Sequence, residues 1–200
     1  MKYVNLFKAE EEMIDLFLCR HGETAWTQSG QHTGTTDIPL TEKGCTQAVL
    51  LGEKLKNINF VRIYSSPLKR ALETSKLAGL HATLEPDAVE WNYGEYEGLD
   101  HQQILQEDPT WDLFTEGAPG GEMPEEVSAR ADRLIQKFLT QSGNIALFSH
   151  GHFLRVLAAR WLQLSAAQGK LFALSVASLS ILGFERQQRV ISLWNDTSYL

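Results

Sequence analysis

The stretch Leu16-Phe17-Leu18-Cys19-Arg20-His21-Gly22-Glu23-Thr24 decides how the rest of the chain is interpreted. Its apolar part begins at Ile14 and has the length of a buried strand. Open α/β sheets bind ligands at the carboxyl ends of their strands, so Arg20 and His21 are expected at a binding site. The neighbouring arginine disfavours the imidazolium, which predicts a neutral His21. Gly22 is expected to leave room for a ligand. The pattern is typical of a histidine that attacks a phosphoryl group.

Arg-His-Gly at the end of a strand also arises by chance, but three later segments favour a functional interpretation. Ser65-Ser66-Pro67-Leu68-Lys69-Arg70-Ala71 follows an apolar run and opens a helical pattern. Helix N-termini attract anions, and the fork of donors on an arginine matches phosphate oxygens. Val89 to Gly98 is rich in acids, aromatics and glycines, and the strand pattern Ile145 to Phe148 ends in Ser149-His150-Gly151-His152. The chain therefore places His-Gly after a strand twice.

The order of these motifs resembles that of the histidine phosphatase superfamily. The matching elements are Arg20-His21-Gly22-Glu23, Ser66-Pro67-x-x-Arg70-Ala71, Glu90 with Tyr93-Gly94-x-x-Glu97-Gly98, and Ser149-His150-Gly151. The resemblance is to the phosphoglycerate mutase-like branch and covers residues 14 to 194, nearly the whole chain. Within that branch, segments 29–37, 90–93 and 151–155 look most like the sedoheptulose-bisphosphatase-type sugar phosphatases.

The resemblance implies a catalytic role for five residues. His21 would attack phosphorus and form a phosphohistidine, with its other ring nitrogen held by a backbone carbonyl. Arg20, Arg70 and a charged or donating His150 would stabilise the oxygens of the transferring group. Glu90 would give the leaving group its proton and then activate water. The arginines supply positive charge, so neither a metal nor another cofactor is expected.

Two of these roles have alternatives. Glu95 or Glu97 could act as the acid instead of Glu90. His150-x-His152 has a spacing that zinc sites also use, although no further ligands are in register with it.

The substrate-binding residues expected from the same motifs lie beside the catalytic ones. They are Thr33, Gly34, Tyr93, Gly151, His152 and Arg155. Arg155 falls one turn into the helix after the second His-Gly and could reach a second anionic group of a substrate, or it could be a solvated arginine. His152 could instead cap the helix. The remaining histidines and four tryptophans show no constellation: His32, His81 and His101 are expected at the surface, and Trp91, Trp111, Trp161 and Trp194 in the core or a flap.

Apolar runs and helical patterns alternate along the chain, which predicts an α/β fold with a mostly parallel sheet and helices on both faces. Strands are expected at residues 14–19, 60–64, 82–84, 145–148, 179–184 and 190–194. Helices are expected at 41–56, 67–78, 100–107, 124–140 and 152–162. Residues 108–121 have the Pro and Gly content of an irregular flap. One domain over residues 1–200 is expected.

Composition limits the partners of the protein. A formal charge of −7 over 200 residues argues against a surface for nucleic acid or an anionic membrane. The sequence shows no apolar run of membrane-spanning length, and residues 1–13 show no signal-peptide core. Cys19 and Cys45 are the only cysteines. They fit a reducing compartment, so a cytoplasmic location is expected. The pattern does not specify an oligomeric state.

The sequence leaves three alternatives to hydrolysis. A mutase would use the same histidine but is expected to carry an additional basic pair, and residues 110–126 contain no Lys or Arg. A cysteine phosphatase needs Cys-x5-Arg, whereas Ala25 and Leu51 occupy that spacing. A non-catalytic phosphate-binding protein would be expected to have lost a catalytic residue. The sequence therefore predicts a phosphomonoester hydrolase for a small phosphorylated metabolite, with a sugar phosphate favoured.

Overall fold

The structure is a computed structural model that describes residues 13–200. The expectation about a leader falls on residues 1–13 and lies outside the described residues except for Met13. The described chain forms one six-stranded sheet, in the order β3-β2-β4-β1-β5-β6. The strands are β1 Ile14–Arg20, β2 Phe60–Ser65, β3 Thr83–Leu84, β4 Gly143–Ser149, β5 Leu179–Glu185 and β6 Gln188–Asp196.

Strand directions confirm the predicted, mostly parallel sheet. Strands β1, β2 and β3 lie parallel to their neighbours along the β3-β2-β4-β1 side. Strand β5 is antiparallel to β1, and β6 is antiparallel to β5. The final hairpin therefore extends the parallel part of the sheet by two antiparallel strands.

Seven α-helices connect the strands of the described chain. They are α1 Ala25–Ser29, α2 Glu42–Leu55, α3 Lys69–Leu77, α4 His101–Glu107, α5 Leu113–Glu116, α6 Pro124–Leu139 and α7 Gly151–Trp161. Short 3-10 helices occur at Pro86–Ala88, Gly94–Tyr96 and Ala166–Leu171. Thr41 caps α2, because its side chain accepts a hydrogen bond from the Gly44 N–H. Helix α3 begins at Lys69, two residues later than expected, so Pro67 precedes the helix.

The side chains of β1 alternate between two apolar clusters. Leu16 and Leu18 belong to a cluster that includes Leu134 of α6 and Leu157 of α7. Phe17 and Cys19 face the other way, into a cluster with Leu51 and Leu55 of α2. Each face of the sheet is thus covered by helices, as predicted.

Residues 108–121 differ from the irregular flap that their composition suggested. This segment contains α5, and the side chains of Trp111, Leu113 and Phe114 are buried in the core. The indole N–H of Trp111 donates to the Gly117 carbonyl at 2.8 Å. Burial of two aromatic rings holds a segment that its Pro and Gly content alone would leave irregular. Trp91 and Trp161 are also fully buried, as expected of core residues.

The register of the parallel strands brings the two His-Gly motifs together. Arg20 at the end of β1 lies opposite Ser149 at the end of β4. The residues that follow, His21 and His150, therefore leave the sheet side by side, with ring centroids 5.2 Å apart. None of the helices between residues 13 and 200 is sufficiently long and apolar to span a bilayer.

Candidate active site

A cavity of about 260 Å³ opens at the carboxyl ends of β1 and β4. It is lined by Arg20, His21, Trp26, Thr27, Gly30, Gln31, His32, Thr33, Glu90, Tyr93, Gly151, His152, Arg155, Leu174 and Val176. Two arginines, Arg20 and Arg155, line the cavity, although the whole chain carries a net charge of −7. Positive charge is therefore concentrated where an anion would bind.

His21 is buried at the floor of this cavity, with 3% of its surface exposed. Its Nδ1 lies 2.8 Å from the carbonyl oxygen of Gly22, the backbone acceptor that the sequence led us to expect. Nδ1 therefore carries the proton and Nε2 keeps its lone pair. Burial lowers the pKa of His21 well below its ordinary value, and the charges of Arg70 and Arg20 lower it further. The neutral histidine was expected from the arginines, but burial is the larger cause.

Gly22 has a different purpose from the one expected. A Cβ atom at this position would lie 2.4 Å from the backbone oxygen of Gly44 in α2. A Cβ at Gly44 would in turn lie 2.1 Å from the carbonyl oxygen of Glu23. The expectation that Gly22 makes room for a ligand is therefore wrong, because it makes room for the backbone of a helix.

Arg20 lies over Gly151 at the edge of the cavity. A Cβ on Gly151 would be 3.1 Å from the guanidinium carbon of Arg20, so glycine at this position lets the arginine lie flat. One guanidinium nitrogen, Nη1, donates to the Leu174 carbonyl. Its Nε is buried and has no hydrogen-bond partner among the described residues. Burial lowers the pKa of Arg20, while Glu90 opposes that shift.

Arg70 is fully buried and lies behind the cavity rather than on its wall. Its Nε–H donates to Nδ1 of His150 at 3.1 Å. Its Nη2 donates to the carbonyls of Thr33 and Gly34, each at 2.9 Å, and Nη1 donates to Thr36 at 3.0 Å. The guanidinium thus fastens the 33–36 loop, including Gly34, to the second His-Gly motif.

His150 is fully buried and uses both ring nitrogens within the protein. Because Nδ1 accepts from Arg70, the proton is on Nε2, which donates to Ser66 Oγ at 2.8 Å. Burial first, and then Arg70, lowers the pKa of His150 well below its ordinary value. His150 is therefore neutral here and lies next to His21; of the charged or donating forms that the resemblance implies, this environment favours the neutral donor, whose N–H is directed to Ser66.

The zinc alternative for His150-x-His152 finds little support in this arrangement. Both nitrogens of His150 have protein partners, and Nδ1 of His152 lies 2.5 Å from the Tyr93 hydroxyl. Between residues 13 and 200, no three His, Cys, Asp or Glu side chains are grouped so that they could hold a metal ion.

Glu90 lines the cavity and is held by the start of α7. Its Oε1 accepts from the backbone N–H of Phe153 at 2.8 Å, and its Oε2 accepts from that of His152 at 3.0 Å. A third backbone donor, the N–H of Trp91, lies 2.8 Å from Oε1. Three fixed donors therefore orient this carboxylate.

The two rival acids lie elsewhere. Glu95 is exposed to solvent, and neither Glu95 nor Glu97 lines the cavity. Oε1 of Glu97 instead accepts from the backbone N–H groups of Gly34 and Thr36, on the loop that Arg70 holds from the other side. This geometry favours Glu90 over both alternatives.

The outer part of the cavity contains the rings of His152, Tyr93 and His32. His152 lines this wall and contacts Tyr93, as described above, and its ring lies parallel to that of His32 with centroids 6.0 Å apart. His32 was expected at the surface, and this expectation is wrong: the residue is half-buried and lines the cavity. Its Nδ1 lies 2.9 Å from the Leu99 carbonyl, a partner distant in sequence. His81 and His101 are exposed, as expected.

Arg155 is not the solvated arginine of the alternative interpretation. It lines the cavity, and its Nε and Nη2 donate to the carbonyls of Gly169 and Lys170 at 3.2 and 3.0 Å. Its guanidinium carbon lies 4.5 Å from the centre of the Phe114 ring. These contacts hold the guanidinium of Arg155 at the wall of the cavity.

Sequence reasoning missed several residues of the cavity wall. In addition to His32, they are Trp26, Thr27, Gly30, Gln31, Leu174 and Val176. Gly34, by contrast, was expected to contact substrate and does not line the cavity. The segment 26–32 returns to the cavity through a bridge between Gln31 and Asp100, which no local pattern indicates.

Comparison with known proteins agrees with the motifs and the geometry. Residues 16–197 match the model of the histidine phosphatase superfamily (branch 1). The chain is 41% identical over 189 residues to an acid phosphatase of Mycobacterium tuberculosis, covering 92% of this chain and 93% of that protein. It is 31% identical over 178 residues to sedoheptulose 1,7-bisphosphatase of Saccharomyces cerevisiae, covering 72% and 66%.

A solved structure shows the same fold. Mycobacterial glucosyl-3-phosphoglycerate phosphatase, solved as a complex with VO3, superposes with a TM-score of 0.82 at 28% identity, covering 92% of this chain and 99% of that one. Relatives of the chain include phosphatases and phosphoglycerate mutases. The predicted resemblance is confirmed, and the chain belongs to the histidine phosphatase superfamily, branch 1.

Proposed function

We propose that this protein hydrolyses phosphomonoesters of small metabolites through a phosphohistidine formed on His21. The observation that carries the proposal is the state of His21: Nδ1 is held by the Gly22 carbonyl, so the lone pair of Nε2 is available in a cavity that also contains Arg20 and Glu90. A neutral imidazole beside a buried cation is the nucleophile that an anionic phosphate ester needs.

In the first step, Nε2 of His21 forms a bond to phosphorus while the bond from phosphorus to the ester oxygen breaks. Glu90, in its acid form, gives its proton to the departing alkoxide. The guanidinium of Arg20 stabilises the charge on the phosphoryl oxygens. Arg70 and His150 support the step from behind, by fixing the 33–36 loop and the position of the second histidine.

In the second step, water attacks phosphorus and the N–P bond breaks. Glu90, now a carboxylate, takes a proton from this water, and inorganic phosphate leaves with His21 restored. Glu90 thus regains in the second step the proton that it gives up in the first. Positive charge comes from arginine side chains, so we propose that the reaction needs no metal ion.

The cavity wall supports a small polar substrate. Thr33, Tyr93, Gly151 and His152 surround the reacting groups, and Arg155 provides a second cation for another anionic group. A sugar phosphate is favoured, because the chain is 31% identical over 178 residues to a sedoheptulose 1,7-bisphosphatase. The partner is thus a small phosphorylated metabolite, and the free cysteines support a cytoplasmic location.

Phosphoryl transfer between substrate hydroxyls, as in a mutase, is the alternative. A mutase must hold its intermediate and exclude water, which the added basic pair of true mutases is expected to assist. Residues 110–126 contain no Lys or Arg. This absence favours water as the acceptor. The third possibility, a non-catalytic phosphate-binding protein, disagrees with the presence of the nucleophile, the acid and both arginines.

Trapping of the phosphoenzyme tests the proposal. Rapid quenching with labelled substrate, without acid, should yield an acid-labile and base-stable phosphoenzyme. His21→Ala should abolish the label, and a His81→Ala control at an exposed position should retain it. Label in the His21→Ala protein contradicts the assignment. If the wild-type protein isomerises 3-phosphoglycerate far faster than it releases phosphate from any ester, the hydrolase proposal itself falls.

A further inference from the structure

Arg130 of α6 makes an unusually complete set of contacts behind the segment that carries Glu90. Its Nε and Nη2 donate to the two carboxylate oxygens of Glu122 at 2.8 and 2.9 Å. Its Nη1 donates to the backbone carbonyls of Asp87 and Val89 at 2.7 and 3.1 Å, and Nη2 reaches the Glu90 carbonyl at 3.4 Å. The side chain is 10% exposed. Each guanidinium N–H therefore has an acceptor.

Glu122 continues this network on the other side of Glu90. Its Oε2 accepts from the backbone N–H of Asn92 at 2.9 Å, and its carbonyl accepts from the Trp91 indole at 2.8 Å. Its own N–H donates to the Asn92 carbonyl at 2.9 Å. Arg130 and Glu122 together thus hold the backbone on both sides of the Glu90 side chain.

Arg130 also contacts the helix start that orients the carboxylate. Its guanidinium carbon lies 4.7 Å from the centre of the Phe153 ring. The backbone N–H of Phe153 is one of the donors to Glu90 Oε1. One side chain therefore touches both the backbone of Glu90 and a residue that binds its carboxylate, although Arg130 does not line the cavity.

From these contacts we infer that the Arg130–Glu122 pair is a positioning device for the proton-transferring carboxylate of Glu90. A buried ion pair is weak evidence for stability, because desolvation offsets much of its attraction. The five acceptors of Arg130 instead fix the conformation of the backbone segment that carries Glu90. The inference rests on the proposed function, since it assigns the pair a role only if Glu90 transfers the proton.

This role predicts a specific kinetic signature. Proton transfer requires the carboxylate within hydrogen-bond reach of the leaving oxygen, and a displacement of about 1 Å costs on the order of 10²-fold in rate. Arg130→Lys, which cannot reach five acceptors, should therefore lower kcat on an alkyl phosphate by about 10²-fold, with little change in KM. The phosphorylation step with p-nitrophenyl phosphate should change little, because p-nitrophenolate leaves without a proton. Hydrolysis of the phosphohistidine should slow, giving a burst of p-nitrophenol.

The chain offers a matched control and a second variant. Arg133 lies on the same helix and makes a two-point ion pair with the Asp87 carboxylate, but its side chain is 58% exposed and it touches neither Glu90 nor Phe153. Arg133→Ala should turn over both substrates at the wild-type rates, and its p-nitrophenol time course should match that of the wild type. Glu122→Gln keeps the size of the side chain, removes its charge and leaves one of its donors without an acceptor. It should therefore show the signature of Arg130→Lys in weaker form, and it decides the question if Arg130→Lys does not fold.

Glu90→Gln, measured in parallel, separates the two proposals. If Glu90→Gln shows the leaving-group dependence and the folded pair variants do not, the positioning role is wrong and the proposed function stands. Equal losses on both leaving groups without a burst in the pair variants also overturn the positioning role. If Glu90→Gln itself shows no leaving-group dependence, the proposed role of Glu90 fails first. Thermal unfolding of each variant verifies that the kinetic comparison is made on folded protein.

Discussion

The Nε–H of Arg70 donates to Nδ1 of His150 at 3.1 Å, across 80 residues of sequence. This single bond assigns the proton of His150 to Nε2, where Ser66 accepts it. The other nitrogens of Arg70 bind three carbonyls of the 33–36 loop. Arg70 therefore determines both a tautomer and a loop conformation, and a cation without the planar fork cannot do both.

Arg70→Lys should consequently disturb structure and activity together. The free energy of unfolding should fall by about 2 kcal/mol or more, because buried carbonyls lose their donors. Ring-nitrogen NMR of His150 should show loss of the single Nε2–H tautomer. Arg62→Lys is the control, since Arg62 is exposed and its side chain donates to the carbonyl of the neighbouring Val61. Unchanged stability and an unchanged tautomer in Arg70→Lys contradict this interpretation.

Acid should destabilise the protein through its buried histidines. Burial and the arginines lower the pKa values of His21 and His150 in the folded state. The unfolded chain therefore binds more protons below about pH 6.5, and each histidine removes up to about 1.4 kcal/mol of stability per pH unit below that pH, until its folded pKa is reached. Stability from these groups is complete above about pH 6.5 and falls as pH decreases.

Urea unfolding at pH values from about 7 to 5 measures this dependence. His150→Asn should reduce the slope by removing one of the four histidines whose pKa values burial lowers, the others being His21, His32 and His152. His81→Asn, at an exposed position, should retain the wild-type slope. A slope that is the same in all three proteins shows that His150 does not contribute to the acid sensitivity.

Gly22→Ala should destabilise the fold without any ligand present. The new methyl group would lie 2.4 Å from the Gly44 backbone oxygen, so β1 and α2 would have to separate. Overpacking of this kind costs about 1–3 kcal/mol. Gly44→Ala would place a methyl group 2.1 Å from the carbonyl oxygen of Glu23 and should have a similar effect. If Gly22→Ala instead retains full stability and loses only substrate affinity, the original expectation for this glycine is restored.

Much of the fold was predictable because its strands are local signals. The apolar runs that end at Arg20 and Ser149 specify β1 and β4, and the parallel register then aligns His21 with His150. Periodicity also places the helices on both faces. The roles of Glu90 and Arg70 followed from resemblance, but their actual partners are distant in sequence. That Arg70 lies behind the cavity depends on the 33–36 loop folding over it, which no spacing encodes.

The cavity residues that the sequence does not predict have a similar physical explanation. His32 reaches the site because its backbone N–H and its ring both bind the Leu99 carbonyl, 67 residues away. A lone histidine in a polar loop gives no periodic signal, so the surface was the reasonable expectation. Gly22 was misinterpreted for the same reason: its neighbour Gly44 is close in space but belongs to a helix whose distance from the strand the sequence does not specify.

Removal of metal ions should leave the activity intact. The cations of the cavity are Arg20 and Arg155, and they supply the charge that a metal would otherwise bring. Phosphate release after exhaustive dialysis against a chelator should therefore match that of the untreated protein. A zinc-dependent phosphatase treated in parallel verifies that chelation was effective. Loss of activity that zinc alone restores would reassign His150 and His152 as metal ligands.

Glu90→Gln tests the proton transfer that distinguishes this mechanism. Glutamine keeps the size of the side chain but cannot exchange a proton, so turnover of an alkyl phosphate should fall by roughly 10²–10⁴-fold. With p-nitrophenyl phosphate the first step needs no proton, whereas hydrolysis of the phosphohistidine still needs the base. The variant should therefore release a burst of p-nitrophenol and then turn over slowly, with phosphoenzyme accumulating.

The control for this experiment is Glu95→Gln, an exposed acid on the same segment, which should behave as the wild type. Rapid-quench kinetics with both substrates measure the burst and the steady state separately. The amide oxygen of the variant can accept from the backbone N–H groups around position 90, but its NH2 group cannot, so at least one of these donors loses its acceptor. Some loss of stability is therefore expected in Glu90→Gln, and thermal unfolding verifies that the kinetics are measured on folded protein. Equal losses on both esters without a burst would contradict the assignment of proton transfer to Glu90 and favour Glu95 or Glu97 instead.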